Sequence, residues 1–161
     1  MTRARISFFP ALGLLIAGLC LSHPAAAVEV PIEQSQKVKA LPPAVLKTVL
    51  AEGKGATVRN VLTEKDSSGA TLYEVEMRIS GLTKDIVVGA DGTLLVSEQQ
   101  MKRASLPPAV RATIDKAAAG RKIRMIESVS KGARLEFYEA HVVSGKTLAE
   151  IKVGLDGTLI P

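Results

Sequence analysis

The chain has 161 residues, one cysteine, no tryptophan and a formal net charge of +5. That excess is too small to argue for a nucleic-acid or anionic-membrane partner. A single cysteine excludes an internal disulfide framework.

The amino-terminal stretch "MTRARISFFPALGLLIAGLCLSHPAAA" reads as an export signal. Arg3 and Arg5 precede an apolar run from Ile6 to Leu21, and the small residues "AAA" close it, which places cleavage after Ala27. Residues 1–27 are therefore set aside as a signal peptide, and a periplasmic or secreted location is expected. Leu19 before Cys20 does not suit a lipoprotein signal, and Ala4 separates the two arginines, so no twin-arginine pair is present. Cleavage would remove Cys20 and His23, leaving His141 as the one histidine, and would lower the charge from +5 to +3 with the loss of Arg3 and Arg5. No stable membrane span is expected after cleavage.

Beyond the leader, "LPPAV" occurs at Leu41–Val45 and again at Leu106–Val110. Continued without gaps, the same register matches Glu33, Gln34 and Lys37 to Glu98, Gln99 and Lys102. It matches Thr48 to Thr113, Gly55 to Gly120, Arg59 to Arg124 and Tyr73-Glu74 to Tyr138-Glu139, and it ends by laying "IVVGADGTL" on "IKVGLDGTL". Roughly 20 of 65 aligned positions are identical. The pattern reads as a tandem duplication, with one unit over residues 28–96 (a four-residue leader included) and a second over 97–161.

Each unit opens with a helix. Pro42-Pro43 and Pro107-Pro108 suit the first turn, where amides lack partners. Val45, Leu46, Val49 and Leu50 form an apolar stripe, repeated more weakly by Val110, Ile114 and Ala118. Gly55 and Gly120 suit left-handed caps. The period then changes to two. "TVRNVLTE" and "KIRMIESV" read as first strands, "TLYEVEMRI" and "EFYEAHVV" as second, and "KDIVVG" and "AEIKVG" as third. Asp91-Gly92 and Asp156-Gly157 mark hairpin turns, each followed by a short fourth strand, Thr93–Val96 and Thr158–Ile160. The expected fold class is α+β, two tandem repeats of a helix packed on a small antiparallel sheet of three or four strands.

A helix opened by "LPPAV", a strand carrying "YEVEM" and a hairpin with "VGADGTLL" together resemble the PepSY-like family, a β-lactamase-inhibitor-like group of secreted bacterial proteins. The resemblance covers both units. It implies a helical segment over an antiparallel sheet, in tandem copies shaped like the β-lactamase inhibitor protein. It also implies protein binding or inhibition in the envelope, not catalysis. Related domains occur in propeptides of secreted peptidases.

A Ser-His-Asp arrangement would need His141, which aligns with Glu76 and lies on the outer strand face; it reads as a solvated surface histidine. No G-x-S-x-G elbow surrounds a serine. Glu74, Glu76, Glu139, Asp85 and Glu150 share outer strand faces, but interleaved lysines and arginines make surface salt pairing the simpler reading, and no metal or other cofactor is expected. "GKGAT" follows a helix instead of opening one, so it is no phosphate cradle. Lys116, Arg121, Lys122 and Arg124 form a basic cluster without aromatics to stack on bases.

The outer sheet face is the best candidate. With Tyr73 and Tyr138 inward, Leu72, Val87, Phe137 and Val143 point outward, rimmed by Glu74, Arg78, Glu139 and Lys152, with His141 beside them. They form a contact patch for a partner protein unless they pack the two units together. The turns Asp66, Ser67, Ser68, Gly69 and Lys131, Gly132, Arg134 are candidate recognition loops. The expected function is a non-enzymatic, protein-binding or peptidase-inhibitor-like module; the alternative is an envelope sensor or carrier of a small ligand or cation on the sheet face.

Overall fold

The computed structural model describes residues 29–145 and 147–161; the expected leader, its cleavage point included, lies outside them. Two longer helices organise the molecule, and proline starts both. In α2 (Pro43–Glu52) and α3 (Pro108–Ala118) a second proline sits at the N-cap, where its missing N–H costs no helical bond. A short helix, α1 (Gln36–Lys39), precedes them and is capped by Ser35. The expected left-handed glycines are present: Gly55 has φ +76° and Gly120 +78°. After α3 the turn begins one residue earlier, with Ala119 at φ +50°.

Nine strands follow the chain: β1 (Val30–Pro31), β2 (Thr57–Lys65), β3 (Thr71–Ile79), β4 (Leu82–Gly89), β5 (Leu94–Gln100), β6 (Ile123–Lys131), β7 (Arg134–Ser144), β8 (Thr147–Gly154) and β9 (Leu159–Ile160). They form one antiparallel sheet in which spatial order equals chain order. This corrects the expectation of two repeats, each a helix on its own small sheet. The physical reason is β5. It runs to Gln100, past the expected end at Val96, and pairs with β4 on one side and β6 on the other. The expected boundary at 96/97 falls inside this strand.

All the helices lie against one face of the sheet. Val45 and Val49 of α2 meet Val75, Met77, Ile86 and Val88 in one apolar cluster. Val110, Ile114 and Ala118 of α3 meet Ile126, Tyr138, Ala140, Val142, Ile151 and Val153 in another. Directly opposed residues on antiparallel strands share a face, so the pairings from β2 to β8 assign these apolar positions to the same side. Burial of these side chains is the main force holding the helices down.

The two Asp-Gly hairpins fasten the helices in the same way. Thr48 Oγ1 donates to the Gly92 carbonyl at 2.6 Å, and Thr113 Oγ1 donates to the Gly157 carbonyl at 2.7 Å. Gly92 and Gly157 have φ +86° and +87°, and a Cβ on Gly92 would stand 2.7 Å from the Ala44 carbonyl oxygen. Both the turn and the approach of the helix therefore require glycine. Asp91 and Asp156 spend their carboxylates on the amides and hydroxyls of Thr93 and Thr158; these bonds hold both acids below the ordinary carboxylate range.

β-Bulges interrupt the ladder at matching places. The pairing of β2 with β3 shifts between Val58 and Asn60, and that of β6 with β7 between Ile123 and Met125. The extra residues are Arg59 and Arg124, both exposed. A bulge leaves one residue outside the pairing and bends its strand.

Candidate functional site

The sheet face opposite the helices carries the side chains expected to point outward. The register places Leu72, Glu74, Glu76 and Arg78 of β3 there, with Asp85 and Val87 of β4. Glu98 and Val96 of β5 join them, followed by Glu127 and Val129 of β6. Phe137, Glu139, His141 and Val143 of β7 and Glu150 and Lys152 of β8 complete the face.

Leu72, Val87, Phe137 and Val143 are all half-buried. They do not pack two units against each other, because the halves meet edge to edge through β5 and β6. Val87 lies opposite Val96, and Phe137 opposite Val129. The Lys152 ammonium stands 5.8 Å from the centre of the Phe137 ring, within reach of a cation–π attraction. Arg78 turns toward Glu29, at 3.5 Å.

The charged residues depart from the reading of a solvated, salt-paired surface. His141 is not solvated: its side chain is 17 % exposed, and Nε2 lies 3.0 Å from Glu127 and 3.3 Å from Glu139. The hydrogen bond with Glu127 is the main cause that raises its pKa, against burial, and the charges of Glu127, Glu139 and Glu150 add to it. Lys152 in turn reaches Glu139 at 3.4 Å and Glu150 at 3.5 Å.

Asp85, Glu98 and Glu127 converge at the middle of the sheet, on β4, β5 and β6, with one oxygen from each lying within 4.8 Å of the others. Burial raises Asp85 to about 7, with the charges of Glu76, Glu127 and Glu74 adding to it and Arg59 opposing. Burial likewise raises Glu98 to about 7, aided by Glu127, Glu139 and Asp85 and opposed by His141. Glu139 and Glu74 are raised too, burial again being the first cause. Glu127 is 4 % exposed. A second group, Glu139, His141 and Glu150, also brings its donor atoms within 4.8 Å. Either group offers ligands of the kind a divalent cation takes: all oxygen in the first, mixed nitrogen and oxygen in the second.

Glu98 and Glu127 are the residues that sequence reasoning missed. Glu127 stands between Ile126 and Ser128 in an expected strand, so its outward direction was readable. Its proximity to Asp85 depends on the β5–β6 pairing, which the sequence conceals.

The expected recognition loops lie at one end of the sheet, because strands that alternate in direction bring the β2–β3 and β6–β7 turns to the same side. The Asp66 carboxylate accepts from the amides of Ser68 and Ala70 at 2.8 and 2.9 Å and from the Ser68 hydroxyl at 2.7 Å. It is a turn-stabilising group, with Ser67, Ser68 and Gly69 exposed around it. In the other turn, Lys131 and Arg134 are exposed, the Gly132 amide donates to the Leu95 carbonyl, and Arg134 pairs with Glu136 at 2.6 Å.

Among the described residues, no helix is long and apolar enough to cross a membrane. No family model and no curated protein matches the chain. Solved structures do. A DUF2874 family protein from Bacteroides ovatus superposes with a TM-score of 0.59 at 14 % identity, over 75 % of this chain and 85 % of that one. A protein from Bacteroides eggerthii described as periplasmic gives 0.61 at 11 % identity, over 75 % and 86 %. A BLIP-like protein from Bacteroides fragilis gives 0.56 at 16 % identity, over 79 % and 89 %. At these identities the likeness is one of fold, and the chain shares the mixed helix-and-sheet architecture of these three structures.

Proposed function

We propose that the chain is a non-enzymatic binding protein of the bacterial envelope that engages another protein through the helix-free face of its sheet, in the manner of a peptidase inhibitor. The carrying observation is that face itself. It presents half-buried apolar side chains, Leu72, Val87, Phe137 and Val143, beside charged groups withdrawn from water. A broad, rigid surface of mixed character is what a protein interface uses. The BLIP-like fold supports this reading, as does the periplasmic description of one structural relative. The PepSY-like resemblance and the duplicated sequence support a chain built from two copies of one unit, fused through β5. Against catalysis, His141 is engaged by two glutamates and not by a hydroxyl.

A photo-crosslinking residue at Val87 or Phe137, in the protein expressed in its native envelope, tests this. Discrete adducts from these positions, with none from the exposed helix residue Lys47, are expected. Adducts confined to Lys47, or none from the sheet face, overturn it. The second reading, a cation or small-ligand carrier, is favoured by the two groups of donor atoms. It predicts that calcium or zinc raises the melting temperature at low concentration.

A further inference from the structure

The acids of the bare face occupy rungs where a sheet gains from opposite charges. Glu76 lies directly opposite Asp85, and Asp85 opposite Glu98. Glu127 lies directly opposite Glu139. Like charges so placed destabilise a ladder, and partial burial removes the water that would screen them.

The cations that face this band are few. Arg59 of β2 acts on Asp85, His141 of β7 acts on Glu98 and Glu127, and Lys152 of β8 serves Glu139 and Glu150. Arg78 of β3 shares the face but turns toward Glu29, and the register places Lys131 of β6 there opposite Val96, at the end of the ladder. Neither Asp85 nor Glu98 has a salt-bridge partner among the described residues. The chain as a whole carries more lysine and arginine than acid, 21 against 16, so the negative face reflects segregation and not composition.

An independent observation comes from Glu74. It is only 9 % exposed, it points to the same face, and its charge acts on Asp85. Among the described residues it has neither a hydrogen bond nor an ion pair. A buried carboxylate left without a partner is costly, and a fold that keeps several such costs in one place keeps them for a ligand.

We propose that this face docks a lysine- or arginine-bearing segment of the partner protein, with a cationic head against Asp85, Glu98 and Glu127 and its aliphatic stem along Val87, Val96 and Val129. The inference rests on the reading above that the bare face is where the chain binds protein. A side chain with an apolar stem and a charged head matches the sequence of surfaces it would cross. Arginine fits best, since its planar fork serves more than one carboxylate at once. A single metal ion at the central acids would leave Glu74 and Glu76 uncompensated, whereas Glu139 already meets His141 and Lys152. Docking is also linked to protons. Burial and neighbouring acids hold the Asp85 and Glu98 carboxyls up at about 7, and Glu64, Glu74, Glu76, Glu127, Glu139 and Glu150 share their face with Arg59, Arg78, Lys131, His141 and Lys152. The attraction is therefore strongest above pH 7 and fades as the medium is acidified.

The test titrates the protein with a hexapeptide of alternating arginine and leucine, and with the same peptide carrying neutral citrulline for arginine. The arginine peptide is expected to bind and the citrulline peptide not. Affinity should fall at least tenfold in D85N/E98Q, stay unchanged in E33Q, and weaken between pH 8 and 5.5. A melting temperature for D85N/E98Q at or above that of the parent shows that the variant is folded. Equal binding by D85N/E98Q and the parent, or equal binding of the two peptides, overturns the proposal. So does a failure of both peptides to bind while calcium or zinc stabilises the parent but not the variant, which assigns the face to a metal. Crosslinks at Val87 that persist undiminished in D85N/E98Q sink the charge inference alone; their absence from the parent protein sinks the protein-binding reading beneath it.

Discussion

At the scale of single residues, Thr48 and Gly92 show how small groups position large ones. The Thr48 hydroxyl satisfies a hairpin carbonyl that the helix would otherwise cover, and Thr113 does the same for Gly157. Thr48→Val keeps the shape and removes the donor, leaving a part-buried carbonyl unpaired. It should cost about 1–2 kcal/mol in urea unfolding. Gly92→Ala meets both a left-handed backbone and the Ala44 carbonyl and should cost more than Thr48→Val. An equal or smaller loss would show that the hairpin shifts away from the helix at little cost. Both Asp-Gly turns, and the matching of Thr48 to Thr113, were legible in the sequence; the bond from each threonine to a hairpin far along the chain was not. Nor was the environment of His141. Its outward direction followed from strand parity, but its withdrawal from water depends on Glu127 reaching it from β6, a contact no spacing within β7 reveals.

At the scale of elements, β5 decides the architecture. Its segment "LLVSEQQ" lacks apolar alternation beyond Val96, so a short strand followed by a linker was the natural reading. The structure explains the polarity. Glu98 and Gln100 face the bare side, while Gln99 on the helix side satisfies itself by donating to the Thr83 carbonyl at 3.0 Å. A strand paired on both edges is held by its ladder and needs no apolar stripe of its own. The strands β2–β4 and β6–β9, whose inward positions are mostly apolar, were placed to within two residues, whereas the short β1 was not expected. Ser97→Pro removes a ladder amide between two paired strands, where proline is not tolerated. It should abolish cooperative unfolding, whereas Ser67→Pro in the exposed β2–β3 turn should leave a sharp transition. Similar melting curves for the two variants would mean that β5 is not the seam.

At the scale of the whole molecule, buried acids set the dependence of stability on pH. Asp85 and Glu98, raised to about 7, bind protons in the folded chain that the unfolded chain releases. Their contribution is full below the ordinary carboxylate range and is lost as pH rises through about 7. His141, also raised, has the same sign. Asp66, Asp91, Asp115 and Asp156 are lowered and act oppositely, so their contribution disappears as pH falls below the ordinary carboxylate range. The melting temperature should therefore rise from pH 8 to pH 5 and turn down below about pH 4. D85N/E98Q should melt higher than the parent at pH 8 and show a flatter profile. A parent profile that is flat from pH 8 to pH 5 would mean that water reaches these carboxyls freely.

The order of the strands has a kinetic consequence. Each is hydrogen-bonded only to the strands before and after it in the chain, so six of the eight pairings close over a short turn, while β1–β2 and β5–β6 close over the segments that carry α2 and α3. Assembly proceeds by zipping neighbouring hairpins, the class of topology that folds quickly for its size. Drawn apart by its two ends, the sheet would shed strands inward from both rims, and the acidic centre on β4, β5 and β6 would be the last part to come undone.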